Sequence, residues 1–181
     1  MKQKQTKRMI TVGMLSAIAI VLTFIKFLLP FLPPYLTIDF SDAPALLATF
    51  TLGPVAGLLV ELIKNLLNFF FNLSDPVGPI ANFLAGASLL LVSYGIYRNN
   101  QSTKHLILGL ITGTIVMTIV LAVMNYFVLL PLYGMIMNLT DIANNLKLII
   151  AAGIIPFNII KGALISIIFI LLYQRIGHIL K

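Results

Sequence analysis

The stretch IIPFNIIKGALISII, residues 154–168, is almost wholly apolar, yet it carries Lys161 one turn after Asn158. A second asparagine, Asn125, stands beside Tyr126 in an equally apolar run. A third segment places Glu61, Asn65, Asn68 and Asn72 at helical spacing, so that they share one face, with Lys64 one turn from Glu61. Asn82 follows in the next apolar run. Asparagine offers a donor and an acceptor together, and an ammonium offers three donors. Such groups can recognise a polar solute by hydrogen bonds.

Catalytic chemistry has no comparable signature. The chain has no cysteine, no GxxxxGK[ST] loop, no HExxH and no GxSxG. His105 and His178 are far in sequence from any carboxylate, and the five acids Asp39, Asp42, Glu61, Asp75 and Asp141 form no ligand-like spacing. No catalytic residue, metal site or cofactor is expected, and no enzyme.

What positions these groups is a membrane bundle. The 181 residues are 60% hydrophobic and 9% charged, with a mean hydropathy of +1.06, whereas soluble domains carry about 25% charged residues. A span needs roughly 20 apolar residues, so the chain is expected to form a single all-α transmembrane domain over 1–181, with five or six crossings. The first apolar run is longer than a signal h-region and lacks a small-residue cleavage site, so it reads as a span.

Lysine and arginine collect on the cytoplasmic side, and this decides the count. Six spans put Lys2, Lys4, Lys7, Arg8, Arg98, Lys104, Arg175 and Lys181 inside and only Lys26 and Lys147 outside; five spans divide these residues evenly. The expectation is therefore six transmembrane helices with both termini cytoplasmic. The second and third would be short and broken at Gly53–Pro54. The net charge of +7 then reflects topology and does not call for nucleic acid. Three prolines interrupt the chain after the first span, and Tyr35–Phe40 alternates well enough for a short extended segment.

This topology gives each helix a direction. With Pro156 opening the last span, Asn158 and Lys161 fall in its outer third, level with Asn82, Asn125, Asn68 and Asn72. Polar side chains of four spans then converge near the outer surface, as a pocket open on one side. Glu61 and Lys64 read foremost as a structural ion pair. Lys161 admits two readings, a ligand-binding group or a lysine snorkelling to the interface. Small-residue pairs, Gly109 with Gly113 above all, read as internal helix packing; Gly13 with Ala17 could instead face a partner.

The segments YLTIDFSDAPALLATFTLGPVAGLLVELIKNLL, GPIANFLAG, MNYFVLLPLYG and PFNIIKGAL resemble the riboflavin-specific S components of the energy-coupling-factor vitamin transporters, over roughly Met9 to Tyr173. The resemblance implies a subunit of the cell membrane that captures riboflavin from outside. It also implies docking on a shared transmembrane T subunit driven by two ATP-binding subunits, and toppling in the membrane to release the vitamin. It implies that Asn125, Asn158 and Lys161 hydrogen-bond the vitamin and that a lid over 29–42 contributes contacts around Leu36 and Asp39. Asn68 and Asn82 join this pocket by the shared depth of their helices, with an interfacial or capping role as the other reading of Asn72 and Asn82. Phe40, Phe83, Tyr126 and Phe127 are candidate apolar or stacking surfaces, with ordinary helix packing as the other reading. Another vitamin or a flavin analogue as ligand, and a membrane scaffold or enzyme in place of a carrier, are the alternatives. On the first helix, where many S components carry an AxxxA pattern for docking, this chain has Gly13, Ala17 and Val21.

Overall fold

A computed structural model describes residues 2–28, 30, 36–72, 75–137 and 145–180. Among the described residues the chain is helical almost throughout. Helix α1 spans Lys2–Thr23 and leads into β1, Phe27–Leu28, which pairs antiparallel with β2, Thr37–Ile38. The extended segment expected around residues 35–40 is thus half of a two-stranded antiparallel element; Tyr35 lies outside the described residues.

Helix α2, Asp42–Leu52, ends at Gly53, and α3, Pro54–Phe71, begins at once. Gly53 has φ +101°, a conformation that side chains with a Cβ rarely adopt. Pro54 follows as the first residue of α3, where its missing N–H costs no hydrogen bond. The two helices fold back on each other so closely that a Cβ at Gly57 would strike the Thr49 hydroxyl and the Ala45 carbonyl. The Gly53 turn lies beside the Arg8 guanidinium, so the hairpin points its turn toward the basic N-terminal end of α1.

The expectation that both helices are short holds only for α2. At 11 residues it is about 16 Å long, against a hydrocarbon core of roughly 30 Å. Helix α3, with 18 residues, is one of five helices long and apolar enough to cross a membrane, and α2 is not among them. Helix α2 can be short because it needs no lipid-facing surface. Every residue from Asp42 to Phe50 is buried, and α1, α3, α4 and the last helix all pack on it.

Helix α3 is amphipathic in the inverted sense that a bilayer demands. Val60, Glu61, Lys64, Asn65 and Asn68 face inward, while Leu59, Leu62, Leu66 and Phe70 face outward. Helices α4, Val77–Tyr97, and α5, Thr103–Met124, form a second hairpin, with Ser102 capping α5 through the His105 N–H. Its close approach depends on Gly109 and Gly113, which rest on the Ser93 and Leu89 carbonyls of α4. The GxxxG pair therefore serves internal packing, as expected.

Helix α5 continues through a π-helical turn, Asn125–Leu129, into α6, Leu130–Met137. The final helix likewise begins as α7, Leu146–Ile149, passes a π-helical turn at Ile150–Ile154, and runs on as α8, Ile155–Leu180. Pro156 therefore does not open this span. The missing proline N–H falls just after the π turn, where the backbone ladder has already shifted. At the C-terminal end of α2 Phe50 sits among Tyr94, Tyr97, Phe169 and Tyr173, with ring centroids 4.9–6.0 Å away.

Replacing glycine by alanine should separate packing from helix propensity. Gly109→Ala should cost roughly 1–3 kcal/mol, because the Ser93 carbonyl occupies the space a Cβ needs. Gly95→Ala, where nothing lies within 4 Å, should be neutral or gain up to about 1 kcal/mol. Thermal unfolding of the detergent-solubilised variants checks both.

Candidate functional site

Five helices and the β2 strand enclose a cleft of about 830 Å³, counted with its open mouth. It lies at the end of the bundle away from Arg8 and the Gly53 turn, where α1 finishes at Thr23 and Lys26. Leu36, Asp39, Asn68, Asn82, Asn125, Asn158 and Lys161 all line it. These are seven of the residues singled out in the sequence, from four helices and the lid strand.

Each wall has a local reason. Asn125 starts the first π turn, in which the Leu130 N–H reaches back to the Asn125 carbonyl. The extra residue keeps Asn125, Leu129 and Leu130 all on the buried side. Asn158 follows the second π turn by one helical turn. Both side chains are fixed alike: Asn125 Nδ2 donates to the Leu121 carbonyl and Asn158 Nδ2 to the Ile154 carbonyl, each at 2.8 Å. Each amide keeps its oxygen and one N–H for something else. π turns of this kind recur at functional sites.

Lys161 is 4% exposed and does not snorkel. Its Nζ donates to Asn82 Oδ1 and lies 3.2 Å from Asp42 Oδ2. Asp42 Oδ1 accepts a hydrogen bond from Lys64 Nζ. Lys64 also donates to Ser41 Oγ at 2.8 Å and sits 3.1 Å from Glu61 Oε1. Asp39 Oδ1 accepts from the Ser41 N–H at 2.9 Å and from the Ser41 hydroxyl. Asn65 Nδ2 donates to Glu61 Oε2 at 3.1 Å. Three carboxylates and two ammonium groups thus form one continuous, buried network. The expected Glu61–Lys64 pair is present within it.

Four placements were not foreseen. Asp42 links the two intramembrane lysines, although it carried no motif. Its one sequence signal is its distance from Gly53, equal to that of Lys64 across the hairpin. Lys26 stands in the cleft wall. Asp75 accepts at one oxygen from both the Gly78 N–H, at 2.9 Å, and the Tyr133 hydroxyl, at 2.8 Å. Phe157 brings an aromatic ring to the wall with Tyr133.

Two expected residues fall elsewhere. Tyr126 is 39% exposed and packs edge-to-face on Phe127. The π turn sends residues 126–128 outward while burying Asn125 and Leu129. Phe40 stacks on Phe27 of the lid, with centroids 5.5 Å apart, and is outside the cleft lining. Asn68 Oδ1 is buried without a hydrogen-bond partner. An orphaned acceptor in a cleft wall costs free energy until a donor reaches it.

Residues 7–173 match the family described as ECF transporter, substrate-specific component. The chain is 71% identical over 181 residues to the riboflavin transporter RibU of Staphylococcus aureus, covering all of this chain and 96% of that one. It is 40% identical to the riboflavin transporter FmnP of Bacillus subtilis, over 95% of this chain and 93% of the relative. A solved structure, described as the S component of a bacterial ECF transporter, superposes with a TM-score of 0.86 at 68% identity. The match covers 98% of this chain and 99% of that one.

Removing Lys64 should expose how the network is held. Lys64→Met leaves Asp42 Oδ1 without its ammonium donor and Glu61 without its ion-pair partner, and should destabilise the protein by about 3–5 kcal/mol. A drop in thermal unfolding temperature of only a degree or two would mean that water or another group satisfies both acids.

Proposed function

Because the chain belongs to the family of ECF transporter substrate-specific components, we propose that its cleft captures riboflavin at the outer face of the cell membrane. The protein is a multi-pass membrane subunit of a transporter and not an enzyme. The observation that carries the ligand reading is the cleft itself. Amide and ammonium groups from four helices face it with donors and acceptors left over, in a chain whose relatives are named as riboflavin transporters.

The chemistry of the wall suits the vitamin. Riboflavin is neutral, with a flat ring edged by donors and acceptors and a tail of hydroxyls. Asn125 and Asn158 each offer an acceptor and a donor, Lys161 offers the N–H groups that Asn82 does not take, and Asn68 offers an unpartnered acceptor. Leu36 and Asp39 close over the mouth from the lid. Phe157 and Tyr133 supply the aromatic surface for the ring, in place of Phe40 and Tyr126.

Energy comes from elsewhere, since the sequence has no nucleotide-binding loop. The partners in this reading are a transmembrane T subunit and two ATP-binding subunits, with six crossings and cytoplasmic termini for this chain. The Gly13–Ala17 side of α1 supports docking there. Both residues are exposed, a Cβ at Gly13 would meet nothing within 4 Å, and Met14 and Val21 beside them are exposed too. Small residues of this spacing let a second helix approach closely.

Two experiments test the reading. The purified protein should quench riboflavin fluorescence on binding, and Lys161→Ala should weaken affinity by about 10–100-fold, the range of one charged hydrogen bond. No binding by the wild-type chain would refute riboflavin as the ligand. Gly13→Leu should leave binding by the isolated subunit unchanged while lowering riboflavin uptake in cells that carry the complete transporter; undiminished uptake would move docking to another face.

A further inference from the structure

Taking the cleft as the riboflavin site, we infer that Asp42, which does not line it, is a positioning residue that holds the Lys161 ammonium at the ligand. Lys161 reaches the cleft on a long, flexible stem from α8, and two groups fix its end: Asn82 Oδ1 of α4 and Asp42 Oδ2 of α2. Asn82 is itself in the wall. Asp42 is 1% exposed and is held from behind by Lys64.

Lys64 is fully engaged by Asp42, Ser41 and Glu61. It keeps one carboxylate oxygen of Asp42 occupied, so the other faces Lys161. The same chain of contacts reaches the lid. Asp42 is the first residue of α2, three residues after Asp39, and Ser41 joins Asp39 to Lys64. One end of the network is therefore a lid residue in the cleft wall, and the other is the ligand-binding lysine. Displacing either end disturbs Asp42 between them.

Asp42→Asn removes one of three carboxylates and leaves Lys64 paired with Glu61 and Lys161 bonded to Asn82, so the variant has a way to fold. The test is a double-mutant cycle on the purified full-length protein. Riboflavin affinity is read by fluorescence quenching, with thermal unfolding measured alongside. D42N should weaken binding about tenfold in the wild-type background and less than about twofold in a Lys161→Gln background. Equal losses in the two backgrounds would overturn the proposal, since Asp42 would then act without Lys161. If D42N does not fold, Asp42→Glu is compared in the same two backgrounds and read by the same criterion. Failure of both Asp42 variants to fold would make Asp42 a residue of the fold alone and would also overturn it. Absence of riboflavin binding by the wild-type chain refutes the ligand, a result distinct from an additive cycle, which refutes only the role of Asp42.

Discussion

A carboxylate shared between two lysines inside the bundle is the constraint on which the cleft-bearing end of this protein depends. Asp42 stands between Lys64 and Lys161, and all three are nearly inaccessible. Taking an isolated ion out of water costs several kcal/mol even after relaxation, so burial is tolerable only where partners are fixed in advance. Here they are fixed by backbone geometry. The Gly53 turn brings the start of α2 level with Lys64 on α3, and α8 brings Lys161 to the opposite side of the same carboxylate. The ion pairs to Lys161 and Glu61 miss hydrogen-bond geometry, so Asp42 Oδ2 and Glu61 Oε1 have no hydrogen donor of their own. The network is electrostatically joined but incompletely hydrogen-bonded, which is the condition in which a group remains able to respond to a neighbour.

The enclosure of α2 follows from the same constraint. A helix that begins with a buried charge and continues through eight further buried residues cannot face lipid, and the surrounding helices must close around it. Two kinds of contact allow that closeness. Glycine at 57, 109, 113 and 162 lets backbones approach where a methyl group would collide. Thr49 and Thr114 return their hydroxyls to the carbonyl four residues earlier and so bury no unsatisfied donor. Outside this core the bundle presents leucine, isoleucine and phenylalanine, as lipid contact requires.

How much of this was legible in the sequence follows from which interactions are local. The helices, the break at Gly53–Pro54 and the packing role of Gly109 and Gly113 are properties of short windows, and the structure has them. The convergence of Asn68, Asn82, Asn125, Asn158 and Lys161 on one cleft was legible too, because helical spacing and residue count place them alike along their helices. Three features were not. The role of Asp42 is a contact between α2 and α8 that no local pattern encodes. The outward turn of Tyr126 depends on a π-helical turn, and one inserted residue moves every following side chain around the helix. Pro156 was read as a helix start because proline favours that position; the preceding π turn instead lets the helix run through it. Asp141 and residues 31–35 lie outside the described residues.

The two ends of the bundle are built for opposite purposes, and this bears on how a solute can pass. The end away from the Gly53 turn keeps spare donors and acceptors in a cleft. The end beside that turn is filled by Phe50 and four neighbouring rings, with the Tyr97 and Tyr173 hydroxyls 3.3 Å apart. A passage opened through the bundle would have to part those rings, each a large apolar burial. Because α2 carries both Phe50 and Asp42, moving it aside would also pull the carboxylate from Lys64 and Lys161, and separating a buried pair costs about 3–5 kcal/mol. Neither cost is recovered from a neutral ligand bound at the far end. The cleft at one end and the packed rings at the other are therefore tied through a single buried helix, α2.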